Sequence, residues 1–336
     1  MSLLRVLSTL VLSITAPAGI TSNIIVIATF YRKIHCNDCS YIFFAHLAVI
    51  DLLVCIFGFT VGLGMNLSGG WLYCKACLVV IVLFYGLSAG NLCLMTYDRF
   101  LYITSPLKYF HKMSAKRAKL LIVILWILCI VNIIPVITNS AYTSEKGPHY
   151  VLDVKNCILS KILNKVYFFW LAAVIVIFVV ATMIFNLRIL IHARRQRRKI
   201  ESSNRVVSCS AQTDENTKET GYYNGSEAVT TAGDEQAPRR RFARVLFRSS
   251  RTKAVRTIMC IVVIHCICNL PYILFIATEI LCGFCFEYRR VKYAYSLYLL
   301  NYLNSVFDPI IYVSLNCDLR RAVKKMLKTT CCNWRS

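Results

Sequence analysis

The chain has 336 residues and a mean hydropathy of +0.57, and only 16% of its residues are charged. Soluble domains carry roughly 25% charged residues, so this composition excludes an ordinary soluble fold. The formal net charge of +23 would suit a nucleic-acid partner, but the basic residues are interspersed with long apolar segments, which excludes that class.

Seven apolar segments dominate the chain. Each approaches the ~20 residues with which a helix crosses a hydrocarbon core ~30 Å thick. A cleaved signal peptide is the alternative for the first segment, but its length and the basic pair Arg32 and Lys33 after it favour a spanning helix. The sequence therefore predicts an all-α membrane protein, in which residues 1–316 form a bundle of seven transmembrane helices at 3–30, 40–63, 74–97, 120–137, 166–191, 258–281 and 294–315.

Lysine and arginine are unevenly distributed among the connections between these helices. The first, third and fifth connections and the C-terminal tail hold 2, 5, 15 and 6 of them, which is 28 of the 39 in the chain. Because basic residues concentrate on the cytoplasmic side of membrane proteins, we expect an extracellular N-terminus, a cytoplasmic C-terminus and a location in the plasma membrane. The sequon at Asn66 then lies in an outer loop close to a helix end, which leaves its glycosylation open.

Five polar side chains fall at similar depth inside the predicted helices. An ionisable side chain at the bilayer centre costs about 2.5–3.5 kcal/mol, so such residues are candidates for function. Two carboxylates with hydroxyl and amide oxygens can hold Na⁺, with Asp51 and Ser88 as its ligands, or share a proton. The alternative is a hydrogen-bond network that only tightens packing. The five residues are Asn23, Asp51, Ser88, Asn304 and Asp308.

Five cysteines lie on the predicted outer side, where an oxidising environment permits disulfides. Cys74, at the outer end of the third helix, can bridge to Cys157 in the long outer loop, and Cys77, one turn deeper, is the rival partner. Cys282 and Cys285 form a CxxC pair in a short outer loop. Because no third and fourth ligands lie nearby in the sequence, a local disulfide is favoured over a metal site.

Two cytoplasmic segments differ in composition from the helices. The third inner loop, about 195–252, has a polar centre at 201–237 that predicts disorder. The basic flanks of this loop are either a solvated face near anionic lipid or a docking surface for a cytosolic partner. Segment 317–336 begins with apolar and basic residues on opposite helix faces, which predicts a short amphipathic eighth helix on the membrane lipid. Cys331 and Cys332 follow as candidate palmitoylation sites or as ordinary thiols.

The sixth predicted helix contains the stretch “HCICNLPYIL”. Pro271 is expected to kink this helix and to free a backbone carbonyl one turn earlier. His265 and Asn269 are four residues apart and share one helix face. They can donate to such carbonyls or reach the five buried polar residues; the alternative is polar packing around the kink.

Further motifs follow the helices in a fixed order. The third helix ends in “YDRFLYITSPLKY”, and the chain also contains “GITSNIIV”, “LAVIDLL”, Trp71, Trp126, “CNLP” and “DPIIY”. In this order and spacing they resemble the motifs of rhodopsin-like (class A) G protein-coupled receptors, over nearly the whole chain. Weaker features resemble melanocortin and adenosine receptors, so the subfamily stays unassigned.

The resemblance implies a receptor without a catalytic site. An extracellular ligand, a small molecule or short peptide, would bind between the outer halves of the helices. The sixth helix would then move outward at its inner end, and a heterotrimeric G protein would dock. The resemblance also implies that Cys74 and Cys157 form the family's outer disulfide and that Arg99 engages the G protein. The other coupling and switch residues would be Asp98, Phe100, His265, Asn269, Pro271, Pro309 and Tyr312.

Several positions depart from the family pattern. Asn269 stands for the usual tryptophan of the sixth helix, His265 for an aromatic residue one turn earlier, and Phe178 for a proline of the fifth helix. Arg251 stands where an acid often pairs with the arginine of the third helix. We therefore expect a weak lock on the inactive state and basal activity.

Positions that set the ligand class in related receptors argue against three classes here. Ile81 stands where amine receptors carry an aspartate, Tyr302 where opsins carry the retinal lysine, and Ile276 where adenosine receptors carry an asparagine. An apolar, tyrosine-rich pocket remains, with Tyr85 and Tyr298 as further wall residues or as packing aromatics.

A transporter or channel is the alternative function. It predicts an internal repeat with broken helices in matching halves, and the sequence shows neither. A membrane enzyme would need a paired nucleophile and base or a metal-ligand motif, which the sequence also lacks.

Overall fold

The computed structural model describes residues 3–33, 39–64, 71–138, 165–217, 257–275, 277–278 and 287–333, and those residues contain helices and short connections without any strand. The long helices are α1 (Leu3–Lys33), α2 (Cys39–Gly64), α3 (Trp71–Thr104), α4 (Ala115–Thr138), α5 (Lys165–Thr217), α6 (Thr257–Phe275), α7 (Glu287–Leu315) and α8 (Cys317–Asn333). We call the end of the bundle that holds Arg99 and α8 the inner end.

Helices α1 to α6 each contain an apolar stretch long enough to cross a membrane. Helix α7 does not pass the same test, because charged residues occupy its first turns and polar residues its inner half. It packs against α1 and α2, and Asn304, Ser305 and Asp308 are buried there. Its polar face therefore points into the protein, and α7 completes the bundle of seven helices that the sequence predicted.

Helix α3 is central and packs against α2, α4 and α5. Two glycines allow α4 to approach it closely. A Cβ atom on Gly90 would lie 2.3 Å from Cδ1 of Leu125, and one on Gly86 would lie 3.2 Å from Sγ of Cys129. Small residues one turn apart are a common basis of helix packing in membranes.

The largest apolar cluster lies in the inner half and joins α1, α2, α3, α6, α7 and α8. Burial of these side chains ties the inner end of α6 to α2, α3 and α7. Its fully or nearly fully buried members include Val26, Phe43, Leu47, Met95, Ile258, Ile261, Tyr312 and Leu319.

Helix α5 extends far beyond the apolar span, which ends at Gln196, and continues to Thr217. The predicted disorder of 201–237 is therefore wrong for its first part, and residues 218–237 lie outside the described residues. The physical reason is that extending an existing helix costs far less than nucleating one, and no glycine or proline interrupts 165–217.

Helix α8 follows α7 directly and begins with a hydrogen bond in which the Leu319 backbone N–H donates to Oδ1 of Asn316 at 3.2 Å. This is the geometry of an N-cap. Helix α8 buries Leu319 and Val323 against the bundle and exposes Arg320, Arg321, Lys324, Lys325 and Lys328. The predicted amphipathic eighth helix is confirmed; the side chains of Cys331 and Cys332 lie outside the described residues.

Candidate functional site

Asp98 is fully buried at the inner end of α3. Ser40, at the start of α2, donates its hydroxyl to Oδ2 of Asp98 at 2.7 Å. Tyr109, in the short helical turn Tyr109–Lys112 between α3 and α4, donates its hydroxyl to Oδ1 at 2.7 Å. Both oxygens of the carboxylate are therefore satisfied by groups from two other segments. The sequence singled out Asp98 but neither of these partners.

Arg99 is held much less tightly than its neighbour Asp98. Its Nε lies 3.8 Å from Oδ2 of Asp98, which is longer than a charge-assisted hydrogen bond. Its guanidinium carbon lies 5.6 Å from the centre of the Tyr102 ring. In the described part of the chain Arg99 has no ion pair with α6, and Arg251 lies outside that part. Arg99 is thus partly buried beside Asp98, and no strong bond from the described residues holds it there.

Phe100 contributes an aromatic contact at the inner end. Its ring centre lies 5.4 Å from that of Phe185 on α5, and Tyr97 approaches the same ring at 5.4 Å. Asn186 follows on α5 and is buried, and no described residue bonds to its amide. The contact between α3 and α5 is therefore largely apolar at this level.

Asn23 joins α1 to α7. Its Nδ2 donates to the carbonyl of Gly19 at 3.0 Å and to the carbonyl of Ser305 at 3.1 Å. The Tyr312 hydroxyl lies 3.5 Å from Oδ1 of Asn23. Asn23 is therefore bonded to backbone groups and to α7. None of these described hydrogen bonds joins it to Asp51 or Asp308. Pro309 lies inside α7, one turn before Tyr312.

The remaining four predicted polar residues are buried at the centre of α2, α3 and α7. One hydrogen bond connects them, from Nδ2 of Asn304 to Oδ2 of Asp308 at 3.2 Å. Both oxygens of Asp51, Oγ of Ser88, Oδ1 of Asn304 and Oδ1 of Asp308 have no hydrogen-bond partner among the described residues. Hard cations prefer such oxygen donors, so the residues present fit a Na⁺ ion.

A second set of hydrogen bonds, which is partly buried and separate from the bonds of Asp98, forms a chain from α4 through α2 to α3. The sequence did not indicate this chain. Trp126 donates its indole N–H to Nε2 of His46 at 2.9 Å, and Nδ1 of His46 lies 2.8 Å from Oδ1 of Asn91. Because the indole can only donate, Nε2 must accept, and Nδ1 carries the proton that His46 donates to Asn91. The amide of Asn91 continues the chain to the carbonyl of Phe43 at 3.2 Å.

A cavity opens between α2, α3, α6 and α7. In the described part of the chain it holds about 50 Å³ of space that the centres of water molecules can occupy. Three predicted pocket residues, Ile81, Tyr85 and Tyr302, line it, whereas the side chains of Ile276 and Tyr298 lie outside the described residues. The other lining residues are Val54, Gly58, Val80, Phe84, Ser88, His265, Asn269, Tyr272, Asn301, Asn304 and Ser305.

Helix α6 contributes its polar face to this cavity. Asn269 donates from Nδ2 to the carbonyl of His265 at 2.7 Å and accepts at Oδ1 from Nδ2 of Asn301 at 2.5 Å. The ring of His265 lies 6.1 Å from that of Tyr85, and neither of its nitrogens has a hydrogen-bond partner among the described residues. Asn269 thus bonds to the carbonyl of His265, whereas the carbonyl that Pro271 leaves without its helical donor is that of Ile267. The predicted contact of His265 and Asn269 with a carbonyl freed by Pro271 stays a prediction.

The predicted disulfides stay predictions. The side chains of Cys74 and Cys77 lie outside the described residues, as do Cys157, Cys282 and Cys285 altogether. The cysteines that the structure does describe inside the helices are free thiols.

The sequence that forms these seven helices matches a family of known proteins. Residues 22–312 match the family described as 7 transmembrane receptor (rhodopsin family). Because that match covers most of the chain, the protein belongs to this family, as the motifs predicted. It is therefore a multi-pass membrane protein of a receptor family, not an enzyme.

Individual relatives are distant. The octopamine receptor beta-2R of Drosophila melanogaster is 24% identical over 332 residues, which cover 94% of this chain and 60% of the relative. The alpha-1A adrenergic receptor of Oryzias latipes is 26% identical and is covered to 67%. The 5-hydroxytryptamine receptor 1B of Homo sapiens is 25% identical and is covered to 87%. This chain spans about three fifths of the length of the octopamine receptors that it matches.

Proposed function

We propose that this protein is a plasma-membrane receptor with an extracellular N-terminus and a cytoplasmic C-terminus that activates a heterotrimeric G protein. Its ligand binds in the cavity between α2, α3, α6 and α7. The observation that carries the proposal is the contrast within one pair at the inner end. Asp98 is fixed by two hydrogen bonds of 2.7 Å, whereas Arg99 keeps only a 3.8 Å contact with it.

The mechanism is a shift between two states of the bundle. A ligand that binds one state better than the other raises the population of that state. His265 and Asn269 place the polar face of α6 at the cavity, and Ile258 and Ile261 place its inner half in the apolar cluster with Tyr312. A ligand that changes the position of α6 at the cavity would loosen that inner contact. Arg99, weakly held, is then available to the G protein.

The connection between α3 and α4 offers a docking surface next to Asp98. Leu107 is 95% exposed and Phe110 is 79% exposed, and the exposed residues Lys108, His111 and Lys112 lie beside them. Tyr109, between these side chains, is bonded to Asp98. A partner that packs on Leu107 and Phe110 would therefore act on the carboxylate next to Arg99. The basic side chains beside Leu107 and Phe110 favour a cytoplasmic position for this surface over a lipid-facing one.

Nucleotide exchange tests the proposal. The full chain in lipid nanodiscs is mixed with a panel of purified heterotrimeric G proteins, and GTP-analogue binding is measured. Wild type is expected to accelerate exchange in at least one G protein without ligand, because Arg99 is weakly held. Arg99→Gln should abolish that acceleration.

The matched control is Arg289→Gln, which makes the same chemical change at the opposite end of the bundle, in the first turns of α7. It should exchange nucleotide like wild type. An Arg99→Gln protein as active as this control would contradict the proposed role of Arg99. Ion flux through vesicles without exchange on any G protein would favour a transporter.

We also propose that Asp51, Ser88, Asn304 and Asp308 hold a Na⁺ ion. Their unpartnered buried oxygens support this assignment. The positive charge of the ion would stabilise the carboxylates of Asp51 and Asp308, which are buried close enough to interact electrostatically.

A further inference from the structure

The described lining of the cavity between α2, α3, α6 and α7 is uncharged. It includes no aspartate, glutamate, lysine or arginine. Asp51 and Asp308 are fully buried and do not form part of the lining. A cationic ligand placed here would lose its hydration without gaining a counter-ion, which is strongly unfavourable. The cavity therefore disfavours protonated amines, including those for which the octopamine and 5-hydroxytryptamine receptors are named.

Two polar side chains with unused hydrogen-bonding capacity border the cavity. His265 is only 4% exposed, and both of its ring nitrogens lack a partner in the part of the chain that the structure describes. Oγ of Ser88 also lacks a partner there, but it is a proposed Na⁺ ligand, so His265 is the group left for the polar part of an organic ligand. A neutral imidazole offers one donor and one acceptor, and a hydroxyl offers both. Buried groups of this kind are nearly always bonded in native proteins, so an exogenous polar group is their natural partner.

The α3 wall of the cavity complements these polar groups. Val80, Ile81, Phe84 and Tyr85 line it with apolar and aromatic surface. The rings of Tyr85 and His265 are 6.1 Å apart. An apolar body packed on α3 would therefore place a polar substituent within reach of His265.

We propose that the ligand of this cavity is an uncharged molecule that combines an apolar or aromatic body with a group that both donates and accepts hydrogen bonds, such as a secondary amide. This inference deepens the ligand-binding step of the proposed function and rests on it. N-acylation of an arylethylamine makes the required change, because it replaces the ammonium by a neutral amide and leaves the aromatic body unaltered.

Matched pairs of probes test the inference. The thermal unfolding temperature of the purified full chain is measured with 5-hydroxytryptamine and its N-acetyl derivative, and with octopamine and its N-acetyl derivative. The N-acetyl compounds are expected to raise this temperature by binding the folded state, and the free amines are not. In the Ile81→Asp protein the free amines should raise the unfolding temperature more than the N-acetyl compounds, because the new carboxylate supplies the missing counter-ion. A free amine that stabilises wild type as much as its N-acetyl partner, or no stabilisation by either N-acetyl compound, overturns the inference.

Substitutions of His265 test its contact with the polar group. His265→Phe keeps an aromatic ring and should weaken binding of the N-acetyl compounds about tenfold, as expected for the loss of one hydrogen bond. His265→Gln retains a donor and an acceptor and should restore binding. Thr182→Val is the control, because Thr182 does not line the ligand cavity and borders only a small cavity between α3, α5 and α6, which His265 also touches. Equal loss in the control and in His265→Phe would overturn the role of His265.

The unfolding measurement involves no G protein, so the two proposals can fail separately. A protein that binds the N-acetyl compounds but never accelerates nucleotide exchange would contradict only the proposed function. A protein that accelerates exchange but binds neither N-acetyl compound would contradict only the ligand class.

Discussion

The inner end of the bundle and its centre treat buried polar side chains in opposite ways. At the inner end, Asp98 accepts a hydroxyl on each oxygen, from Ser40 and Tyr109. At the centre, both oxygens of Asp51 and both nitrogens of His265 have no hydrogen-bond partner within the described residues. Unsatisfied buried groups cost free energy. The Asp98 carboxylate is thus satisfied by the protein itself, whereas Asp51 and His265 at the centre are left to bond with an ion, water or a ligand.

Both regions lie along α3, which carries Ser88 at the centre and Asp98 at the inner end. They are about 15 Å apart at 1.5 Å per residue. On this helix the Asp98 carboxylate is fully hydrogen-bonded, whereas the Ser88 hydroxyl has no partner among the described residues. Such a helix is suited to respond to what binds at the centre. The following substitutions test this contrast.

The largest effect is expected from Asp98→Ala, which removes the acceptor of two buried hydrogen bonds at the inner end. It leaves the hydroxyls of Ser40 and Tyr109 buried without their acceptor. At about 1–3 kcal/mol for each of the two unsatisfied hydroxyls, the free energy of unfolding should fall by roughly 2–6 kcal/mol, measured by detergent titration. Basal nucleotide exchange should rise, because Arg99 loses its only carboxylate contact among the described residues.

Tyr109→Phe is the graded companion of Asp98→Ala, because it removes one hydroxyl and keeps the ring packed beside Tyr102. Its loss of stability should be about half as large. If the Asp98→Ala protein were as stable as wild type, the two hydrogen bonds to Asp98 would not stabilise the inner end.

A smaller effect is expected from His46→Leu, which removes the middle of the second hydrogen-bond chain. The indole N–H of Trp126 and Oδ1 of Asn91 both lose their partner. Hydrogen bonds between helices in membranes average about 0.6 kcal/mol, so two of them predict a loss of roughly 1–2 kcal/mol in the same titration. His46→Gln, which keeps a donor and an acceptor, should recover much of this loss. Equal stability of His46→Leu and wild type would mean that the chain contributes nothing.

The smallest effect is expected from the ion at the centre. Replacing K⁺ by Na⁺ at constant ionic strength should stabilise wild type by about 1.4 kcal/mol when Na⁺ is ten times its dissociation constant. Asp51→Asn should abolish this difference, because it removes the charged oxygen ligand. The unfolding temperature measures both effects. A Na⁺ response that persists unchanged in Asp51→Asn would exclude Asp51 as a ligand.

Much of the fold could be predicted because it depends on local properties of the chain. Apolar segments indicated all seven membrane helices, and among the described residues six of these helices contain an apolar stretch long enough to cross a membrane. Helix α8 followed from apolar and basic residues at helical spacing. The exception was 201–217, where low hydrophobicity suggested disorder. The structure continues α5 through these residues to Thr217, because helix extension depends on the preceding turns as well as on composition.

The candidate site was only partly predictable. Ile81, Tyr85 and Tyr302 line the cavity as expected, since depth along a helix can be counted from the sequence. Asn301 was missed, although it donates to Asn269 across the cavity. Asn301 is one of several polar residues in α7. Only the rotation of α7 relative to α6 decides which of them faces Asn269.

The sequence by itself determined which segments are apolar enough to cross the membrane and which family the motifs indicate. These features follow from hydropathy, charge and residue spacing along one chain. The tertiary structure alone decided which polar groups meet: Ser40 and Tyr109 at Asp98, and Trp126 at His46. Such pairs depend on how closely and at what rotation the helices pack, as Gly86 and Gly90 allow between α3 and α4. That geometry is a property of several helices together, so no single segment encodes it.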